Sequence, residues 1–252
     1  MKKIIFLPLA ICFFLAGFSH AFGEEKNSIN LFLEANRHYE KGEFEKALAL
    51  YKEVADAKPT GPLFYNIGNC YFRLGQIGNS LANYRRALRH EPRDSDLLAN
   101  LQYARQEAKD EIEYKSGLRI LDYLFFWNDD MALREILLAS ALLYAVLMLS
   151  AVVCLFRKFE RRNLLLSTLA AVFILFASSA GFKCYQDYYI VEGTVTHREV
   201  SVHSSNDINS VVLFQLHDGT EFRVLDRRGD WIEIELKDNK RGWVARNFVE
   251  LI

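Results

Sequence analysis

The spacing of apolar residues changes character several times along the chain. A short run, Ile4 to Ala16, follows Met1-Lys2-Lys3. From Ser28 to Ala104 apolar positions recur at helical intervals among many charges. Two uncharged stretches come next, Ile136 to Phe156 with 21 residues and Leu164 to Phe182 with 19. Past Ile190 the period falls to two, with short valine, isoleucine and leucine runs split by turn residues. A helical period of 3.6 and a strand period of 2 are the signatures of amphipathic helices and half-buried strands. The pattern therefore predicts a helical region, two long apolar helices and a small β domain, in that order.

Within the helical region several residues recur at a spacing of 33: Asn36/Asn69, Gly42/Gly75, Tyr51/Tyr84, Pro59/Pro92, and Ala47/Ser80 as a small pair. A period of this size means stacked supersecondary units. In the second unit, Gly61 to Asp94, the residues Phe64, Ile67, Gly68 and Tyr71 share one helix face. Gly75 ends that helix, and Ser80, Tyr84 and Ala87 give a second helix that Pro92 stops. The first unit, about Ser28 to Thr60, keeps Ala35, Phe44, Ala47, Tyr51 and Pro59 but places Glu34 and His38 where apolar and Tyr residues are usual. After Pro92, Asp94 or Ser95 can cap a further helix with the stripe Leu97, Leu98, Leu101 and Ala104.

This pattern resembles the tetratricopeptide repeat (TPR), a helix-turn-helix of about 34 residues. The resemblance implies an all-α solenoid over 28–115, closed by a capping helix because each unit leaves a face exposed. It also implies a peptide groove lined by the first helices. Carried over by position, that groove comprises Phe32, Asn36 and Tyr39, then Tyr65, Asn69, Phe72 and Arg73, with Tyr103 from the cap. An Asn amide can both donate to and accept from an extended backbone. The aromatic residues fit a packing role equally well. Asp96 stands where a carboxylate clamp would have a base, so that specificity is not expected. Arg85, Arg86, Arg89 and Arg93 cluster on the outer helix of the second unit and read as a solvated face.

The basic n-region, the apolar run and Ser19-His20-Ala21 match an export signal over 1–21. A short membrane anchor fits less well, the run being brief, and Ile11 is bulky for a lipobox ending at Cys12. The two uncharged stretches suit the roughly 20 residues that a bilayer requires, giving spans over 131–157 and 163–183. Arg157, Lys158, Arg161 and Arg162 crowd the loop between them, assigning 158–162 to the cytoplasm. Both flanks are then periplasmic, in agreement with the signal. Leu118 to Trp127 reads as part of an interfacial segment over 118–130, with Asn128, Asp129 or Asp130 capping the first span. The spans lack intramembrane acids and bases, so transport is not expected.

From 190 to 252 the strand runs and the turns Asp218-Gly219, Arg228-Gly229 and Asp238-Asn239 suggest five or six strands in a small all-β barrel. Gly219-Thr220, Trp231 and Gly242-Trp243-Val244 resemble the marks of bacterial SH3-like domains. Trp231 and Trp243 either line a ligand face or pack the barrel edge, packing being favoured for Trp243. His197, His203 and His217 lack metal-ligand spacing and read as ordinary strand and turn residues.

Composition narrows the function classes. With 51% apolar and 25% charged residues and net charge −1, the chain has no general drive toward nucleic acid. Its Cys residues at 12, 70, 154 and 184 are too scattered for a disulfide scaffold or zinc site. Walker, HExxH, CxxC and Ser-His-Asp signatures are lacking, so neither an enzyme nor a cofactor is expected. The order of signal, repeats, two spans and SH3-like domain resembles the BatE-type proteins of bacterial aerotolerance operons. That resemblance implies a multidomain scaffold or adaptor in a stress-related envelope complex. Its implied partners are von Willebrand factor A (VWA) membrane proteins and, indirectly, a MoxR-type ATPase. A wall-binding sensor that holds peptidoglycan through the SH3-like domain is the alternative.

Overall fold

A computed structural model describes residues 27–110, 123–156 and 160–252. The export signal expected at 1–21, residues 111–115 of the expected repeat region and 118–122 of the expected interfacial segment lie outside the described residues, as do 157–159.

Five helices build the first region: α1 (27–40), α2 (Phe44–Ala57), α3 (Gly61–Arg73), α4 (Ile77–His90) and α5 (Ser95–Glu107). They form two helix-turn-helix units and a cap. Gly42 and Gly75, one repeat apart, have φ of 77° and 72°, with open space where a Cβ would stand. These two glycines are therefore required by the turn conformation and not by a neighbour. Gly68 is required by contact, because a Cβ there would lie 2.6 Å from the Tyr84 ring. Its carbonyl also accepts the Ser80 hydroxyl at 2.9 Å, which fixes the α3–α4 crossing. The residues read as the matching face of α4, Ser80, Tyr84 and Ala87, are all buried. Asp94 provides the cap of α5, accepting from the N–H groups of Asp96 and Leu97 at 2.9 and 3.0 Å. Leu97, Leu101 and Ala104 are buried as the stripe requires, while Leu98 is exposed.

Two long helices follow, α6 (Leu133–Phe156) and α7 (Arg162–Tyr189), packed as a hairpin. Both are apolar enough, and at about 36 and 42 Å long enough, to cross a membrane. Most of their apolar surface is uncovered by protein. α7 runs six residues past the expected end of its span at 183, since no Gly or Pro interrupts Lys183 to Tyr189. Asn128 does not cap α6 as the sequence suggested, and neither do Asp129 and Asp130. Instead Glu135 reaches back to the Ala132 N–H at 3.0 Å, half of a capping box. Asn128 is buried and joins the hairpin's open end. It accepts from the Ser179 hydroxyl at 2.5 Å, while Trp127 donates to the same hydroxyl at 2.9 Å. The Lys183 ammonium donates to the Asn128 carbonyl at 2.8 Å.

The C-terminal region is an all-β SH3-like domain of seven antiparallel strands. They are β1 (Glu192–Val195), β2 (Glu199–His203), β3 (Val212–His217), β4 (Glu221–Arg228), β5 (Trp231–Glu235), β6 (Arg241–Ala245) and β7 (Val249–Leu251), in the order β3-β2-β6-β5-β4-β1-β7. The expected turns sit between β3 and β4, β4 and β5, and β5 and β6. Register pairs Ile232 with Val244 and Ile234 with Gly242, so Ile232, Ile234 and Val244 enter the core with Val195, Val202 and Phe222. The strand count exceeds the expected five or six. One added strand, β7, is three residues long and follows a single 3-10 turn, too short for a period of two to register.

Candidate binding surfaces

In α1, Phe32, Asn36 and Tyr39 fall one turn apart on one face, and Tyr65, Asn69, Phe72 and Arg73 do the same in α3. The two asparagines share one tyrosine bond, repeated at the period of 33. The Tyr51 hydroxyl donates to Asn36 Oδ1 at 2.6 Å, and the Tyr84 hydroxyl to Asn69 Oδ1 at 2.7 Å. Asn100 of α5 adds a bond from Nδ2 to Asn69 Oδ1 at 3.2 Å and another to the Tyr65 hydroxyl at 2.8 Å. The amide oxygens are thus already engaged. The NH2 group of each asparagine stays open to a ligand; Asn69 Oδ1 already accepts two bonds, whereas Asn36 Oδ1 accepts one and keeps a second lone pair. Burial pushes the Tyr51 and Tyr84 phenols far above the ordinary range, so they remain protonated donors.

The other groove residues pack against the solenoid to differing degrees. Phe32 lies 5.7 Å from Tyr51, Tyr39 5.2 Å from Phe44, and Phe72 5.4 Å from Tyr103, centroid to centroid. The Arg73 guanidinium sits 4.8 Å from the Phe44 ring centre, which orients its charge across the two repeats. Tyr103 is the most open of these aromatic residues, 54% exposed. Cys70 behind the groove is buried, and desolvation pushes its thiol up to about 12, leaving almost no thiolate at neutral pH.

Arg93 lies exposed beyond the end of α4, and the row of Arg85, Arg86 and Arg89 on α4 is not a solvated face. It is the surface on which the SH3-like domain docks. Arg85 pairs with Glu192 and, at 3.2 Å, with Glu221. Arg86 reaches Glu250 at 2.5 Å and the Leu251 carbonyl. Arg89 donates to the Ile252 carbonyl at 3.4 Å, and Arg93 pairs with Glu135 of α6 at 2.5 Å. At the other end of α4 the N-cap residue, Gln76, supplies no capping side chain. Asp218, in the β3–β4 turn, takes that role, accepting from the Ile77 and Gly78 N–H groups at 3.0 and 2.9 Å. Thr194 donates to the Gly78 carbonyl at 2.8 Å. In the sequence Asp218-Gly219 reads only as a turn and His217 only as an ordinary strand or turn residue. His217 is a second docking point: Asp110 accepts from its backbone N–H at 2.8 Å and its Nδ1–H at 2.7 Å, and from the Thr220 hydroxyl at 2.6 Å.

Glu221 is the centre of this contact. Its side chain is 12% exposed. Arg105 of α5 donates to it twice, at 2.8 and 2.9 Å, and Lys237 lies 3.3 Å away. Burial alone would raise its pKa. The Arg105 hydrogen bonds and the charges of Arg105, Arg85 and Lys237 outweigh burial and hold it near 2, against 4.5 for a free Glu. A carboxyl depressed in the folded state stabilises above its unfolded pKa and loses that stabilisation as pH falls through the folded value. Docking is therefore expected to weaken between pH 4.5 and about 2, by about 2 kcal/mol at pH 3. Thermal unfolding of the full chain followed at pH 6 and pH 3 checks this. An interdomain transition indifferent to pH in that window contradicts it.

Trp231 and Trp243 lie on the strands away from the TPR contact. Trp243 is 7% exposed, under the Arg228 guanidinium at 5.1 Å, and so packs the edge of the domain. Trp231 is half-buried, edge-on to the His203 ring at 5.3 Å.

Comparisons with known proteins agree with the two modules. Residues 62–94 match the tetratricopeptide repeat family and residues 198–250 the bacterial SH3 domain family. Heat shock protein STI1 of Saccharomyces cerevisiae is 34% identical over 83 residues, which is 30% of this chain. The chain spans 14% of the length of that relative. A solved structure, the first TPR of Spaghetti (RPAP3) bound to HSP90 peptide SRMEEVD, is 16% identical, with a TM-score of 0.32 over 58% of this chain and 93% of that one. TPR and SH3 domains are typical non-enzymatic interaction modules. The chain thus joins a TPR solenoid and a bacterial SH3 domain, both suited to protein partners, through two helices apolar enough to cross a membrane.

Proposed function

We propose that the protein is a membrane-anchored scaffold of the BatE type, which gathers protein partners in a stress-related complex of the bacterial envelope. Residues 1–21 export the chain, the α6–α7 hairpin crosses the inner membrane, and the basic loop at 158–162 faces the cytoplasm. The TPR region (28–115) and the SH3-like region (190–252) work on the periplasmic side. One observation carries this reading: the TPR region pairs through Arg93 with Glu135 at the start of α6, and β1 follows directly from the end of α7. Both modules therefore gather at the hairpin end opposite the basic loop. Such confinement raises the effective concentration of the modules for partners in the same membrane.

The partners proposed are VWA-domain membrane proteins, with a MoxR-type ATPase reached through them. Their extended segments would lie along Phe32, Asn36, Tyr39, Tyr65, Asn69, Phe72, Arg73 and Tyr103, with backbone carbonyls accepting from the two asparagine NH2 groups. Crosslinking of the tagged full-length protein in cells, read by mass spectrometry of the membrane fraction, tests this. VWA-domain proteins are expected to dominate. Changing Asn36 and Asn69 together to Ala removes two donors at about 0.5–1.5 kcal/mol each, so recovery is expected to drop about tenfold. Unchanged recovery from a folded double variant removes the groove assignment.

A wall-binding sensor is the second reading. It draws on the position of Trp231 and Arg228, paired beside the β4–β5 turn at the opposite end of β4 from Glu221. Pull-down of the full chain by purified wall material, lost on Trp231→Ala, would favour it over the scaffold.

A further inference from the structure

Helix α5 is the last wall of the groove, and the solenoid covers it on part of its surface. At 13 residues it is about the length at which isolated helices are marginal in water. One side, Leu97, Leu101 and Ala104, is buried against the second repeat. Asn100 and Tyr103 face α3, where they meet Tyr65, Asn69 and Phe72. In a longer array the next repeat would cover what remains. Here the SH3-like domain is attached in its place, at three points in the last turn and just beyond. Arg105 makes its paired hydrogen bonds to Glu221. Asp110 takes His217 and Thr220, and the Lys109 ammonium lies 2.7 Å from His217 Nε2. Glu221 also holds Arg85 of α4, so one carboxylate spans both helices whose crossing sets the cap.

We propose that Glu221 and Asp110 are positioning residues of the TPR groove, through which the SH3-like domain holds α5, and with it Asn100 and Tyr103, against α3. The inference rests on the groove reading above, but its test does not use a ligand. Neither residue touches the groove. Both act through the helix that does. Without Glu221, Arg105 loses both its hydrogen bonds to the SH3-like domain while Arg85 of α4 keeps Glu192, so the carboxylate tie is lost from α5 and not from α4. The SH3-like domain is then less a second free head than the closing element of the first.

The experiment compares wild-type full-length protein with Glu221→Gln and Asp110→Ala in lipid nanodiscs. Spin labels on the exposed positions Glu34 of α1 and Gln102 of α5, in a cysteine-free background, report the width across the groove. Wild type is expected to give one narrow distance distribution, and each variant a broadened or displaced one. Hydrogen exchange supplies the second readout. Amides of residues 98–107 are expected to exchange at least about tenfold faster in the variants, with 27–57 and β5 unchanged. An unaltered distance distribution overturns the proposal. So does faster exchange spread evenly over the whole solenoid, which would mark Glu221 and Asp110 as general stabilisers. If Asn36 and Asn69 prove irrelevant to partner recovery while α5 still loosens, the groove reading fails and the positioning of α5 stands.

Discussion

Replacing Gly78 with alanine is expected to release the SH3-like domain from the repeats while both remain folded. A Cβ at this position would stand 1.8 Å from the Val195 carbonyl oxygen and 2.7 Å from Asp218 Oδ1. Val195 cannot yield locally, since β1 pairs with β4 on one side and β7 on the other. The domains must therefore move apart by more than 1 Å, given that real contacts of this kind stay beyond about 3 Å. Separation lengthens both Asp218 bonds to the start of α4 and the Thr194 bond to the Gly78 carbonyl. Hydrogen bonds to a charged group contribute about 1.5–3 kcal/mol each, so the lost docking energy is on the order of 3–5 kcal/mol. Within α4 alone the same change is favourable, by up to about 1 kcal/mol of helix propensity. The expected signature is thus an opened interface without a melted solenoid. Exchange of the Ile77 amide rises, cleavage near residue 190 quickens, and α1 and α2 keep their protection. Unchanged Ile77 protection would mean that the two domains do not rest on each other at Gly78.

Gly75 and Gly78 show why part of the molecule was legible in the sequence and part was not. Gly75 has an exact counterpart in Gly42, so a period announces it, and a backbone turn explains it. Gly78 has no such counterpart, because position 45 is Glu. Its neighbour is Val195, more than a hundred residues on, and no local pattern records a contact of that range. The arginine row failed for the same reason. Basic residues in a row on a helix, here Arg85, Arg86 and Arg89, usually face water, and only the tertiary position of Glu192, Glu221 and Glu250 reveals a docking face. By contrast the helices, the hairpin and the β strands follow from periods of 3.6 and 2 and from uncharged length, all of which are local properties. The groove lies between these cases. Repeat symmetry located Asn36 and Asn69, but not the tyrosine hydroxyl of the next helix that each amide oxygen accepts.

Tyr84→Ala is the second large effect, and it separates the solenoid's interior from its ends. Tyr84 is fully buried between α3 and α5, its ring against Gly68 and its hydroxyl on Asn69. Removing an aromatic side chain from such a site costs about 3–5 kcal/mol, and the freed Asn69 oxygen loses a partner as well. Against a total of about 5–15 kcal/mol, that is enough to unfold a solenoid of two repeats in a large share of molecules at moderate temperature. Tyr51 makes the same bond one repeat earlier, to Asn36, yet sits in the terminal unit. In a quasi-one-dimensional array the interior unit stabilises two neighbours and the terminal unit one. Tyr51→Ala is therefore expected to cost less and to melt α1 and α2 first, whereas Tyr84→Ala loosens α3, α4 and α5 together and takes the SH3-like docking with them. Segment-resolved hydrogen exchange on the two variants distinguishes the cases. Equal and uniform loss of protection in both would show that the repeats unfold as one unit, with the docked SH3-like domain making the array cooperative from end to end.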